Sequence, residues 1–220
     1  MATRIAAGME ASGFFIVLEG IDGCGSTTQA QLLAGALRAK GRRVTATAQP
    51  SGGVVGKLIR QALVGGDAAP RFDWATMALL FAADRLHHVQ EVIEPALQTG
   101  QVVICDRYDL SSLAYQSATS SGGQSVVDWI RQLNRLARRP NLTLVFDIDP
   151  DVAEARRKAR GQPEELFEKR ELQRRLAKLY TRAESLVPAD KVAHIDAGAE
   201  PHIVHQQVLE IVTKSTQVAG

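Results

Sequence analysis

Apolar residues along the chain fall into two rhythms. Five short runs, FFIVL (14–18), VTATA (44–48), QVVIC (101–105), LTLVF (142–146) and KVAHI (191–195), are rich in β-branched and aliphatic side chains and show little alternation with polar ones. Unbroken apolar character over so short a length predicts strands buried on both faces. The stretches between them have the three-to-four-residue spacing of amphipathic helices, predicted over 27–40 (closed by Gly41), 54–63, 74–98, 126–137, 152–160, 165–186 and 201–214. No helix is assigned between the third strand and residue 126, and the longest loops are expected at 65–71 and 119–124. Strands alternating with helices predict an α/β fold in which a five-stranded parallel sheet is covered by helices on both faces. Ligands then bind at the carboxyl ends of the strands.

Composition narrows this picture without changing it. Of 220 residues, 45% are hydrophobic and 23% charged, as in an ordinary globular protein, and one domain over 14–220 is expected after an N-terminal extension, 1–13. A net charge of +2 gives no reason to expect a nucleic-acid partner. No apolar run approaches the roughly 20 residues of a membrane span, and MATRIAAGMEASG lacks the apolar centre of an export signal. Cys24 and Cys105 have neither disulfide-framework nor metal-site spacing, so a cytoplasmic location is expected.

The chemistry begins where the first strand ends. GIDGCGSTTQ, from Gly20 to Gln29, follows FFIVLE and opens a predicted helix. Strand, glycine-rich turn, helix is the setting of a phosphate-binding loop, and G-x-x-x-x-G-K-[ST] maps onto Gly20 through Thr27 with one departure. Gly20, Gly23 and Gly25 let the backbone curl around phosphate oxygens, and Thr27 offers its hydroxyl to Mg²⁺. The departure is Ser26, at the position where such loops carry lysine.

Further motifs follow: LLFAADR (79–85), CDRYDLSSLAYQ (105–116), FDIDP (146–150), RRKARGQPEELFE (156–168) and HIDAG (194–198). Together with the phosphate loop they resemble the thymidylate kinases over most of the chain, from Phe14 to about Ala197. The N-K-x-D element of a GTPase is absent. The resemblance implies a P-loop kinase fold with a lid at about 156–168, transfer of the γ-phosphate of ATP to dTMP with Mg²⁺, and a homodimer. Nucleic acid and membrane are not expected partners.

The resemblance also implies roles residue by residue. Gly20, Asp22, Gly23, Cys24, Gly25, Ser26, Thr27 and Thr28 hold ATP, with Arg157 packed on adenine. Asp22, Pro50, Phe81, Arg85, Arg107, Ser112 and Tyr115 hold dTMP. Phe81 stacks on thymine and Arg85, four residues on and so on the same helix face, bonds the base edge. Asp22 meets the sugar 3′-hydroxyl, and Tyr115 occupies the space a 2′-hydroxyl would need. Thr27 and Asp106 attend the metal, while Asp106, Arg107 and Arg160 are catalytic. Glu165 and Glu168 resemble lid carboxylates.

Two departures weigh against full activity. Ser26 lacks the lysine charge, and Ala48 stands where many relatives carry arginine. Relocation of the charge to Arg107 and the lid, above all to Arg160, is one reading of this pattern. Others are an impaired or silent dTMP- or ATP-binding protein and a kinase for another deoxypyrimidine monophosphate.

Overall fold

The computed structural model describes residues 13–65, 69–159 and 169–217. Strands β1 (Phe14–Gly20), β2 (Val44–Ala48), β3 (Val102–Asp106), β4 (Leu142–Asp147) and β5 (Val192–Asp196) form one parallel sheet in the order β2-β3-β1-β4-β5. The five apolar runs foretold these strands to within one or two residues. Around them lie α1 (Ser26–Ala39), α2 (Val54–Val64), α3 (Trp74–His88), α4 (Glu94–Gln98), α5 (Asp109–Thr119), α6 (Gly123–Leu133), α7 (Pro150–Ala159), α8 (Arg170–Tyr180), α9 (Ala183–Leu186) and α10 (Pro201–Gln217).

Alternation along β1 divides the core between the two faces of the sheet. Phe14, Ile16 and Leu18 join Leu33, Ile104, Leu144 and Val208 in one cluster, while Phe15 and Val17 join Ile93, Leu97, Val103 and Cys105 in another. With β2 and β3 on one side of β1 and β4 and β5 on the other, the connections leaving β1 and β3 diverge. They open a crevice at the carboxyl edge. Register brings the relevant residues to that edge, pairing Leu18 with Asp106 and Gly20 with Phe146.

Helix α5 has no counterpart in the sequence-based prediction. DLSSLAYQSAT is rich in Ser, Thr and Asp, which compete with the helical backbone for hydrogen bonds. Packing overrides that preference, because eight of its 11 residues are buried. Its N-terminus has no side-chain cap of its own. The acceptor comes from β1 instead: the Glu19 carboxylate receives the amides of Tyr108 at 2.8 Å and Ser111 at 3.2 Å. Nothing local in the sequence signals a cap supplied 89 residues away.

Other boundaries moved for identifiable reasons. The helix expected over 74–98 is continuous but widens to a π-helical turn at Val89–Ile93 between α3 and α4. Pro95 removes an amide and crowds the carbonyl four residues earlier, at Glu91, inside that turn. Helix α6 starts and ends earlier than expected, closing at Asn134, whose side-chain amide bonds the Ile130 carbonyl. The helix expected over 165–186 breaks after Tyr180 and resumes as α9, and its first four residues lie outside the described ones.

Ile104 is wholly buried in β3, between β1 and β2. Ile104→Ala is expected to lower unfolding free energy by about 2–5 kcal/mol through lost burial and a residual cavity, measured by denaturant titration.

Candidate active site

The loop from β1 to α1 depends on glycine at two points. Gly23 (φ 91°) and Gly25 (φ 94°) adopt the left-handed conformation, and a Cβ on Gly23 would lie 2.5 Å from the Ala153 carbonyl oxygen. Gly25 caps α1 with no side-chain acceptor, and the first turn carries no acidic residue. The helix N-terminus therefore presents amide donors and a positive dipole end to an external anion. Ser26 is buried, and its hydroxyl and amide engage the Cys24 thiol, whose pKa burial pushes up. The side chain at the lysine position is thus directed into the loop.

Thr27 donates to Asp106 Oδ2 at 2.5 Å, whereas Asp106 Oδ1 is buried without a hydrogen-bond partner. Among the described residues no group of three or more His, Cys, Asp or Glu side chains is arranged to hold a metal. A hydroxyl beside one under-used carboxylate suits Mg²⁺, which prefers to keep water and nucleotide phosphate as most of its ligands.

Asp22, Pro50, Phe81, Arg85, Arg107, Ser112 and Tyr115, the seven residues expected to bind the acceptor, all line one cavity of 140 Å³. Arg107 anchors it. Its backbone is left-handed (φ 68°), the one such non-glycine residue among those described, at a cost of order 1 kcal/mol or more. The surroundings hold it there: the amide donates to the Leu18 carbonyl (2.8 Å), the guanidinium to the Gly20 carbonyl (2.9 Å), and an ion pair forms with Asp22 at 2.5 Å. The same guanidinium lies over the Tyr115 ring, 5.4 Å from its centroid.

Arg85 is fixed as firmly. Only 1% exposed, it donates to Gln49 Oε1, Asn134 Oδ1, the Tyr108 carbonyl and Ser112 Oγ. Gln49 in turn donates to His88 Nδ1 (3.1 Å), and His88 Nε2 meets Thr47 Oγ1 at 2.7 Å. This chain of bonds requires neutral His88, with Nδ1 accepting, and burial lowers the His88 pKa in the same sense. Gln116, which sequence reading passed over, lines the cavity with a buried Oε1 that has no partner.

In the charged segment after β4, two arginines lean on neighbouring backbone carbonyls. Arg157, expected on adenine, donates to the Asp22 carbonyl at 2.5 Å, and its Cγ lies 3.1 Å from where a Cβ of Gly23 would be. Arg156 is the residue that reaches the β5–α10 connection, through the Ala197, Gly198 and Ala199 carbonyls. With Cys24, Gly25 and Thr28 it lines a second cavity, of 330 Å³. Arg160, Gly161, Glu165 and Glu168 lie outside the described residues.

Two further residues belong to the site. Glu19 is wholly buried, and burial raises its pKa against the opposing bonds from Ser111 and the charge of Arg107. A carboxylate closing an apolar strand run was a readable signal for it. Gln173 on α8 contacts Asp22 twice and carried no such signal, being one polar residue in a polar helix.

A family model described as thymidylate kinase matches residues 18–208. The chain is 40% identical over 202 residues to a probable thymidylate kinase of Pyrococcus abyssi, covering 91% of this chain and 96% of that one. It is 40% identical over 210 residues to a thymidylate kinase of Ruegeria pomeroyi (93% and 96% covered), and 42% over 203 residues to a probable thymidylate kinase of Pyrobaculum calidifontis (91% and 96%).

The depressed His88 pKa has a stability consequence. As pH falls below the ordinary value of 6.5, unfolded His88 takes a proton that folded His88 resists, so the unfolded state gains protons and stability drops. Unfolding free energies measured from about pH 7.5 to about pH 5.5 should fall less steeply in His88→Leu than in the unmodified protein.

Proposed function

The chain belongs to the thymidylate kinase family, and from that premise we infer that it transfers the γ-phosphate of ATP to dTMP, giving dTDP. The observation that carries the site assignment is the convergence of Asp22, Pro50, Phe81, Arg85, Arg107, Ser112 and Tyr115 on one cavity at the carboxyl ends of β1 and β3.

Base recognition follows from donors and acceptors. Thymine offers carbonyl oxygens and an N3–H; Arg85 supplies the one N–H left beyond its four bonds, and the unpartnered Gln116 Oε1 supplies an acceptor. Cytosine inverts this pattern with an amino group and a bare N3, leaving buried groups unpaired. Phe81 gives the ring an apolar face, and Ser112, tied to Arg85, holds the arginine in place. Asp22 faces the 3′-hydroxyl, and Tyr115, bonded to Asp22 at 3.0 Å, closes the 2′ position.

The attacking acceptor phosphate is already anionic, so catalysis needs positioning and cations rather than a strong base. Arg107 lies between the acceptor cavity and the phosphate loop, where it contacts both phosphates during transfer. Thr27 and Asp106 would hold the Mg²⁺ that accompanies ATP, and the ion would neutralise phosphate charge. The loop amides and α1 grip the donor phosphates, and the cavity by Arg156 takes the base. We assign the missing lysine charge to Arg157, whose guanidinium already rests on the loop through the Asp22 carbonyl. Arg160 stays a second candidate for this charge.

Leu79 and Leu86, seven residues apart on α3 and 50% and 36% exposed, give one helix face on which a homodimer can form. Two buried unpaired cysteines suit the cytoplasm, and none of the described helices is long and apolar enough to cross a membrane. We read 14–220 as one domain; of the lid expected at about 156–168, residues 160–168 lie outside the described ones and 156–159 belong to α7.

A coupled assay with dTMP and Mg·ATP tests the activity: absence of dTDP above background would leave the silent-binder reading. Arg157→Ala is expected to lower kcat by about 10²–10³, with KM for dTMP changed only a few fold. Gln116→Leu should cut kcat/KM for dTMP by about tenfold and narrow its margin over dCMP. Equal losses for both acceptors would remove Gln116 from base recognition.

A further inference from the structure

We propose that Gln173 is a positioning residue that sets the sugar specificity of the acceptor site by holding Asp22 and Tyr115 in register. The inference rests on the reading of Asp22 as the partner of the 3′-hydroxyl. Gln173 is 1% exposed, at the end of the first turn of α8, whose other face is charged and solvated. Both ends of its amide engage one residue 151 positions away: Oε1 accepts the Asp22 amide at 3.1 Å, and Nε2 donates to Asp22 Oδ2 at 2.7 Å. Its side chain also hydrogen-bonds Tyr115.

A bidentate amide of this kind fixes more than distance. With the Asp22 main chain and carboxylate held by the same rigid plane, the carboxylate has little freedom to rotate about its side-chain torsions. Three donors then occupy it, Arg107 on Oδ1 and Tyr115 and Gln173 on Oδ2. A carboxylate accepts about four hydrogen bonds. Roughly one acceptor direction is left for a sugar hydroxyl, and its aim is set by the other three. Arg107 alone would leave the carboxylate free to follow the guanidinium when phosphate arrives. Gln173 supplies an anchor on a different element, so Asp22 keeps facing the sugar while Arg107 turns to phosphate. Through Tyr115 the same amide holds the phenol that closes the 2′ position.

The test compares dTMP with its 3′-deoxy analogue. The unmodified protein is expected to prefer dTMP in kcat/KM by about tenfold or more, the value of a hydrogen bond to a charged acceptor. Gln173→Met, which keeps side-chain length without the polar ends, should lower kcat/KM for dTMP by about tenfold, largely through KM, while leaving the 3′-deoxy acceptor within about twofold. Gln173→Leu provides a second variant should Met prove unstable, with thermal melting to confirm folding. Equal loss on both acceptors would show that Gln173 only supports the fold and would overturn the proposal. A failure of the Asp22 reading looks different. The unmodified protein would then turn over both acceptors equally, and Asp22→Asn would lose equally on both, which overturns the proposal together with its premise.

Discussion

The ion pair between Asp22 and Arg107 joins the loops that leave β1 and β3, and most of the site is arranged around it. Neither partner is fully exposed, so removing one would leave a poorly solvated charge beside the other. Arg107 also tolerates a left-handed backbone that an arginine would not adopt unaided. The bonds to the Leu18 and Gly20 carbonyls pin it to β1, and the Asp22 carboxylate completes the enclosure. The result is a guanidinium placed between the β1–α1 loop and the cavity lined by Phe81 and Arg85. Phosphoryl transfer depends on cations already in position there, because reorganising charge during the reaction would raise the barrier.

Behind this pair stand two buried polar networks with different tasks. Glu19, at the end of β1, caps α5 and bonds Ser111 and Tyr180. It orients the helix that carries Ser112, Tyr115 and Gln116, although its desolvation opposes its charge. Arg85, Gln49, His88 and Thr47 form the second, running from the cavity beside Phe81 into the interior. Here Arg85 makes four bonds and His88 is bonded at both ring nitrogens, which offsets the cost of burying these polar groups.

Ser26 stands at the lysine position of a loop whose architecture is otherwise that of a phosphate loop. The loop keeps its glycines, its turn into α1 and its threonine beside Asp106, while the serine turns inward to Cys24. The positive charge near the loop comes from outside it, from Arg107 after β3 and from Arg157 on α7, both bonded to loop carbonyls. A carbonyl-anchored guanidinium gives up some freedom that a lysine on the loop would retain. It gains a planar set of donors suited to phosphate oxygens.

The strands, most of the helices and the phosphate loop were legible because their signals are local: apolar runs, helical spacing, glycine spacing before a helix. Phe81 and Arg85 shared a face by helical period alone, while their meeting with Asp22, Arg107 and Tyr115 followed from a family resemblance spread over several motifs. Other features were decided by contacts between distant segments. Helix α5 exists against its own propensities because Glu19 caps it and the core covers it. Arg157 reaches the Asp22 carbonyl because α7 lies directly over the phosphate loop at Gly23. Gln116 gained meaning when its buried oxygen was found without a partner, and Gln173 when both ends of its amide met Asp22. The sequence by itself determined the parallel sheet, the phosphate loop and the residue types available for chemistry. The tertiary structure decided which of those side chains meet, because burial and hydrogen-bond partnership depend on segments that only folding brings together.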